Sequence, residues 1–131
     1  NSRFSIIILM PPNKNNYMWL MDIIFKTKKF QKLCNSEVEL IKKFGKTCAR
    51  KIRARLDDLQ AAETLEALRT LPGRCHGLKG DRKNQLSLDV EQPLRLIFEP
   101  SNLDIKRKND GGLDWSSVNE IRVIGVEDTH D

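Results

Sequence analysis

From Met21 to Lys26 the side chains alternate, with Ile23 and Phe25 on one face and Asp22 and Ile24 on the other, which predicts a short strand. The hydrophobic period then lengthens to that of a helix. Thr27 can cap a first helical stretch through Cys34. Ser36 and Glu39 form a Ser-x-x-Glu capping box ahead of a second run, whose buried stripe is Leu40, Ile41 and Phe44. Gly45 reads as a left-handed C-cap. A further helix is expected from about Cys48 to Ala62. Its seam is Cys48, Ile52, Leu56 and Leu59, and its other face holds Arg50, Lys51, Arg53 and Arg55. The two arms make a helical hairpin.

Thr64 to Leu71 is a last turn or short helix, stopped by Pro72-Gly73. Beyond it the period becomes two. Arg74 to Lys79 is a strand candidate, and Gly80 to Asn84 a polar turn. In Gln85 to Val90, Leu86, Leu88 and Val90 alternate with Gln85, Ser87 and Asp89. Glu91-Gln92-Pro93 is a tight connection to Leu94–Glu99, where Leu94, Leu96 and Phe98 share a face opposite Arg95, Ile97 and Glu99. Residues 101–118 read as a surface loop around Gly111-Gly112, Glu120 to Val126 as the last strand, and Glu127 to Asp131 as a tail. The order predicts an α+β fold: two N-terminal helices packed on a curved, mainly antiparallel sheet of about five strands.

The length of 131 residues suits one domain with one core. No apolar run is long enough to span a bilayer, so no membrane partner is expected and the protein is read as cytoplasmic. Residues 1–20 differ in character from the rest, with Pro11-Pro12 and an Asn-rich stretch. They are expected to be an extension ahead of a natural start at Met21; the alternative is that Phe4–Met10 docks on the domain. Three widely spaced cysteines argue against a disulfide framework, and with no C-x-x-C pair and only two histidines no structural zinc site is expected. Cys34 and Cys48 read as small buried hydrophobes. Cys75, beside His76, would need a depressed pKa to act as a nucleophile. The net charge is +5: residues 1–20 carry +2, residues 21–99 carry +6 and residues 100–131 carry −3. A basic centre suits a polyanion.

RNA can be cleaved without a metal when a base takes the 2′-hydroxyl proton, a cation stabilises the phosphorane and an acid protonates the leaving oxygen. Histidine supplies the proton chemistry, and arginine or lysine the charge. The chain offers His76, Arg95 within an otherwise apolar strand, Asp128 and His130 in the tail, and Arg82 with Lys83 on a turn. An unpaired charge at Arg95 would be costly, so it must reach solvent, a carboxylate or a ligand.

Three stretches, in this order, resemble the RelE/ParE toxin superfamily, most closely its HigB or killer-protein branch. They are His76-Gly77-Leu78-Lys79-Gly80-Asp81-Arg82-Lys83; Gln85 to Asp89 followed by Pro93-Leu94-Arg95-Leu96-Ile97-Phe98-Glu99-Pro100; and Ile121 to Ile124 through Val126-Glu127-Asp128-Thr129-His130. The likeness covers about residues 21–130. It implies a sheet whose concave face cleaves ribosome-bound mRNA without a cofactor. It also implies a cognate helix-turn-helix, HigA-like antitoxin, with operator DNA bound only through the antitoxin complex. On that resemblance Arg95 and Lys79 serve the phosphate, His130 and His76 are the acid–base candidates with His130 favoured, and Asp128 orients an imidazole or accepts a proton. Arg50, Lys51, Arg53, Arg55, Arg82 and Lys83 are expected to contact ribosomal RNA. The chain departs from the family at Thr129, where the terminal motif has tyrosine, and at Leu86 and Leu94, where aromatics are common. Two other readings share the fold: a ParE-like poison of DNA gyrase, and an inactive toxin that serves as partner or co-repressor of its antitoxin.

Overall fold

Two hydroxyl caps and a glycine divide the first half into a strand and three helices. A computed structural model describes residues 21–129; the expected N-terminal extension and His130 lie outside the described residues. Strand β1 (Asp22–Phe25) leads into α1 (Lys28–Cys34), whose first turn is closed by Phe30 N–H donating to Thr27 Oγ1 at 3.1 Å. Helix α2 (Glu37–Phe44) starts where Glu39 N–H donates to Ser36 Oγ at 3.2 Å. Only that half of the expected capping box forms, because Ser36 N–H is taken by the Leu33 carbonyl, 3.1 Å away. The first arm of the hairpin is therefore two helices, making three α-helices in place of the expected two. Gly45 ends α2 and begins α3 (Lys46–Ala61) with φ 86° and ψ 163°. This is not the left-handed helical conformation expected of a C-cap, but an extended one of positive φ that only glycine adopts readily.

The seam of α3 is as the period requires: Cys48, Ile52, Leu56 and Leu59 are buried. Arg53 is buried with them, which corrects its expected place on the solvent face. A 3-10 helix (Leu65–Thr70) adds Leu65 and Leu68 to the core. At Gly73 φ is +110°, and a Cβ would come within 3.0 Å of Arg55 Cδ and Leu88 Cδ2. Conformation and space both require glycine there.

Strand β2 is only His76–Gly77, shorter than expected. A 3-10 turn (Gly80–Arg82) connects it to β3 (Leu86–Asp89), followed by β4 (Leu94–Pro100) and, after a 3-10 turn at Trp115–Ser117, β5 (Glu120–Asp128). The sheet order is β1-β5-β4-β3-β2; β1 pairs with β5 in parallel, and every other pairing is antiparallel. One face of the sheet buries Leu86, Leu88, Leu96, Phe98, Ile121 and Val123 against the helices. That cluster is the core. The α+β class and the mainly antiparallel sheet agree with the hydrophobic pattern. No helix among the described residues is long and apolar enough to cross a membrane.

Candidate functional site

The register places two cross-strand rows on the face away from the helices. His76, Ser87, Ile97 and Gly125 pair in one row; Asp89, Arg95 and Glu127 pair in the next. The second row exists because β5 is bulged. Ile97 pairs with Gly125 but Phe98 pairs with Val123, so Ile124 has no partner and the alternation of β5 shifts by one. Val123 and Val126 therefore both face the core, and Glu127 faces the site.

A pocket of about 220 Å³ opens on this face, lined by His76, Leu78, Lys79, Arg82, Arg95 and Thr129 with Gly77 at its edge. It gathers four residues singled out from the sequence: His76, Lys79, Arg82 and Arg95. The His76 ring is held at both nitrogens. Nδ1 lies 2.7 Å from the Arg74 carbonyl, which can only accept, so Nδ1 carries the proton. In the neutral ring Nε2 then holds the lone pair; it lies 3.4 Å from Ser87 Oγ. That contact is long for a hydroxyl donor, so a substrate hydroxyl can displace it.

Arg95 meets the expectation that its charge must find company. Its Nη1 donates to Thr129 Oγ1 at 3.0 Å, and its Nε lies 3.4 Å from Asp89 Oδ1. The Asp89 contact has ion-pair distance without hydrogen-bond alignment: among the described residues neither of those buried atoms has a hydrogen-bond partner. Asp89 Oδ2 is taken by Arg74 Nε at 2.6 Å. Arg95 is thus oriented, yet not fully committed to its carboxylate. Arg82 binds Glu127 bidentately, both contacts at 2.8 Å, and Gln85 Oε1 at 2.8 Å. Reaching Glu127 across β3 and β4 draws the β2–β3 connection over the sheet, where it walls the pocket. This pairing holds the Glu127 carboxyl below its ordinary range and raises the Arg82 guanidinium. Lys79 is exposed at the rim.

Other candidates lie elsewhere. Asp128 is the last residue of β5 rather than part of a tail. It pairs with Leu94, on the opposite side of the sheet from Arg95 and Glu127. Of the four candidate cations on α3, only Arg50 and Lys51 are exposed. Arg53 donates to Asp57 at 2.7 Å and to the Cys34 carbonyl at 3.3 Å; Arg55 is held by Asp58 at 3.0 Å and the Asp89 carbonyl at 3.3 Å. Lys83 is exposed just outside the pocket. Burial pushes the Cys75 thiol up to about 12, against a weaker opposing effect of Arg69. It is not a thiolate at neutral pH. Sequence reasoning did not assign Ser87, Asp89 or Glu127 to the site. The available signals were an acid opposite Arg95 across a short connection, and Gly125 inside a strand, which marks a bulge.

No protein-family model, curated protein or solved structure matches the chain.

Proposed function

We propose that this protein is a metal-independent endoribonuclease and the toxin of a type II toxin–antitoxin pair, acting on mRNA at the ribosome. The observation that carries the reading is the pocket that gathers His76, its ring anchored through Nδ1 to the Arg74 carbonyl, with Lys79, Arg82 and Arg95. In the reaction, an imidazole nitrogen takes the proton of a 2′-hydroxyl as its oxygen attacks the adjacent phosphorus. The bond from phosphorus to the 5′-oxygen breaks, and that oxygen takes a proton from an acid. The products are a 2′,3′-cyclic phosphate and a 5′-hydroxyl, with no net redox change. His76 Nε2 is the described group suited to the base, and His130, next to the Arg95-bound Thr129, is the candidate acid. Arg95 and Lys79 meet the phosphate, whose developing charge they stabilise. Resemblance in the three motifs supplies the ribosome, the mRNA and the HigA-like antitoxin as partners.

The test is primer extension on abundant mRNAs after a pulse of expression. New 5′ ends within translated regions are expected, and His76→Gln and Arg95→Ala should each lower cleavage by roughly 10²–10³-fold. Both variants should retain the wild-type circular dichroism and still bind antitoxin. Full cleavage by the double variant sinks the assignment. Growth arrest with intact mRNA and double-strand DNA breaks would identify a gyrase poison instead.

A further inference from the structure

A second pocket, of about 460 Å³, adjoins the first. Gly77 belongs to the wall of both. Its φ is not in the left-handed region, and a Cβ there would meet nothing within 4 Å. Neither backbone nor packing requires glycine. What the missing side chain does is leave bare the face of the outermost strand beside its partner Leu86, which lines the same pocket.

The far wall comes from the 101–118 segment, which is more ordered than a surface loop. Arg107 and Leu113 form an antiparallel bridge, and Lys108 N–H donates to the Gly112 carbonyl at 2.7 Å. Asp114 Oδ1 then accepts from Ser116 N–H at 3.0 Å and caps the turn that carries Trp115. The Trp115 ring packs on the core, has the Arg69 guanidinium 3.9 Å from its centroid, and also lines the pocket. Lys83 and Arg107 are exposed at the same pocket, and among the described residues no ion pair holds either. A rigid aromatic ring flanked by two uncommitted cations is the chemistry that grips a nucleotide of a single strand.

We infer that this pocket is a subsite for a nucleotide next to the scissile phosphate of single-stranded RNA. The base packs against the part of Trp115 that lines the pocket, Lys83 and Arg107 take a phosphate, and the strand crosses the sheet edge at Gly77. The inference rests on the reading that the first pocket holds the phosphate that is cleaved. It gives the chain an aromatic contact from an unexpected element, where Leu86 and Leu94 offer none.

Fluorescence polarisation on the full chain with labelled 2′-O-methyl RNAs, which cannot be cleaved, tests it. A pentanucleotide should bind about tenfold or more tighter than a dinucleotide. The double variant Lys83→Gln/Arg107→Gln should erase that difference and leave dinucleotide affinity unchanged. Gly77→Val should likewise erase the length difference by blocking the crossing, whatever it does to dinucleotide binding at the first pocket, whose wall Gly77 also forms. Because these positions are exposed, the outcome does not hinge on folding, as it would at Trp115. Equal affinity for both lengths, or a length effect that survives both variants, overturns the subsite even if cleavage still depends on His76 and Arg95. A length effect lost in the variants, in a protein that cleaves nothing, upholds the RNA subsite and removes the nuclease reading instead.

Discussion

At the scale of single residues, the site is a set of charges that hold one another in place. Glu127 fixes Arg82, Asp89 and Thr129 orient Arg95, and the Arg74 carbonyl sets the His76 tautomer. The Arg82–Glu127 pair also makes a prediction about pH. A carboxyl held below its usual range contributes stability above its unfolded pKa, about 4.3 for glutamate. The contribution is lost as pH falls through the lowered folded value. Arg82→Gln should therefore flatten the fall of the urea midpoint on the acid side of about pH 4.5 and leave the neutral-pH slope unchanged. The effect will be modest, because both side chains are partly exposed. An unaltered acid limb would show that Arg82 does not hold this carboxyl in solution.

At the scale of elements, α3 shows how one charged helix divides into two jobs. The sequence places Arg50, Lys51, Arg53 and Arg55 within six residues, and the helix turns them to different surroundings. Arg53 reaches under α1 to the Cys34 carbonyl with only 7% of its side chain exposed; Arg50 and Lys51 face solvent. Arg53→Gln should cost about 2–3 kcal/mol in chemical denaturation, because a buried contact is broken and Asp57 loses its partner. Arg50→Gln and Lys51→Gln should each stay within about 0.5 kcal/mol. If their only role is RNA binding, their mark will be a shallower dependence of RNA affinity on salt. A neutral Arg53→Gln would mean that the pair to Asp57 contributes little.

At the scale of the whole molecule, the sheet separates stability from chemistry. One face carries the apolar core and the other the polar rows around His76 and Arg95. Leu56, fully buried at the centre of α3, belongs wholly to the first. Leu56→Ala should cost about 2–5 kcal/mol of unfolding free energy in urea titration. Activity per folded molecule should stay near wild type below the transition. Loss of activity with the native baseline intact would show that the two faces are coupled more closely than the packing suggests.

How much of this could be read beforehand depended on the range of the interaction. Local interactions wrote the helices and their caps: Thr27, Ser36 and the i, i+3, i+4 spacing of Cys48, Ile52, Leu56 and Leu59 act over a few residues and were legible. The alternation in Leu86–Val90 and Leu94–Glu99 likewise identified two strands and the face that each buries. The candidate chemistry of His76, Lys79, Arg82 and Arg95 was also visible, since residue type and motif suffice to nominate it. Tertiary structure alone decided which of these meet. The bulge at Ile124 turns Glu127 toward Arg82, and the register sets Asp89 beside Arg95 and puts Asp128 on the other side of the sheet. Those outcomes depend on strand pairing between residues far apart in the chain, where shifting the alternation by one residue exchanges the faces. The order within 101–118 was hidden for the same reason. Its polar, glycine-containing sequence carries no period, and what shapes it is a bridge, a capped turn and the docking of Trp115 onto a core built by other elements.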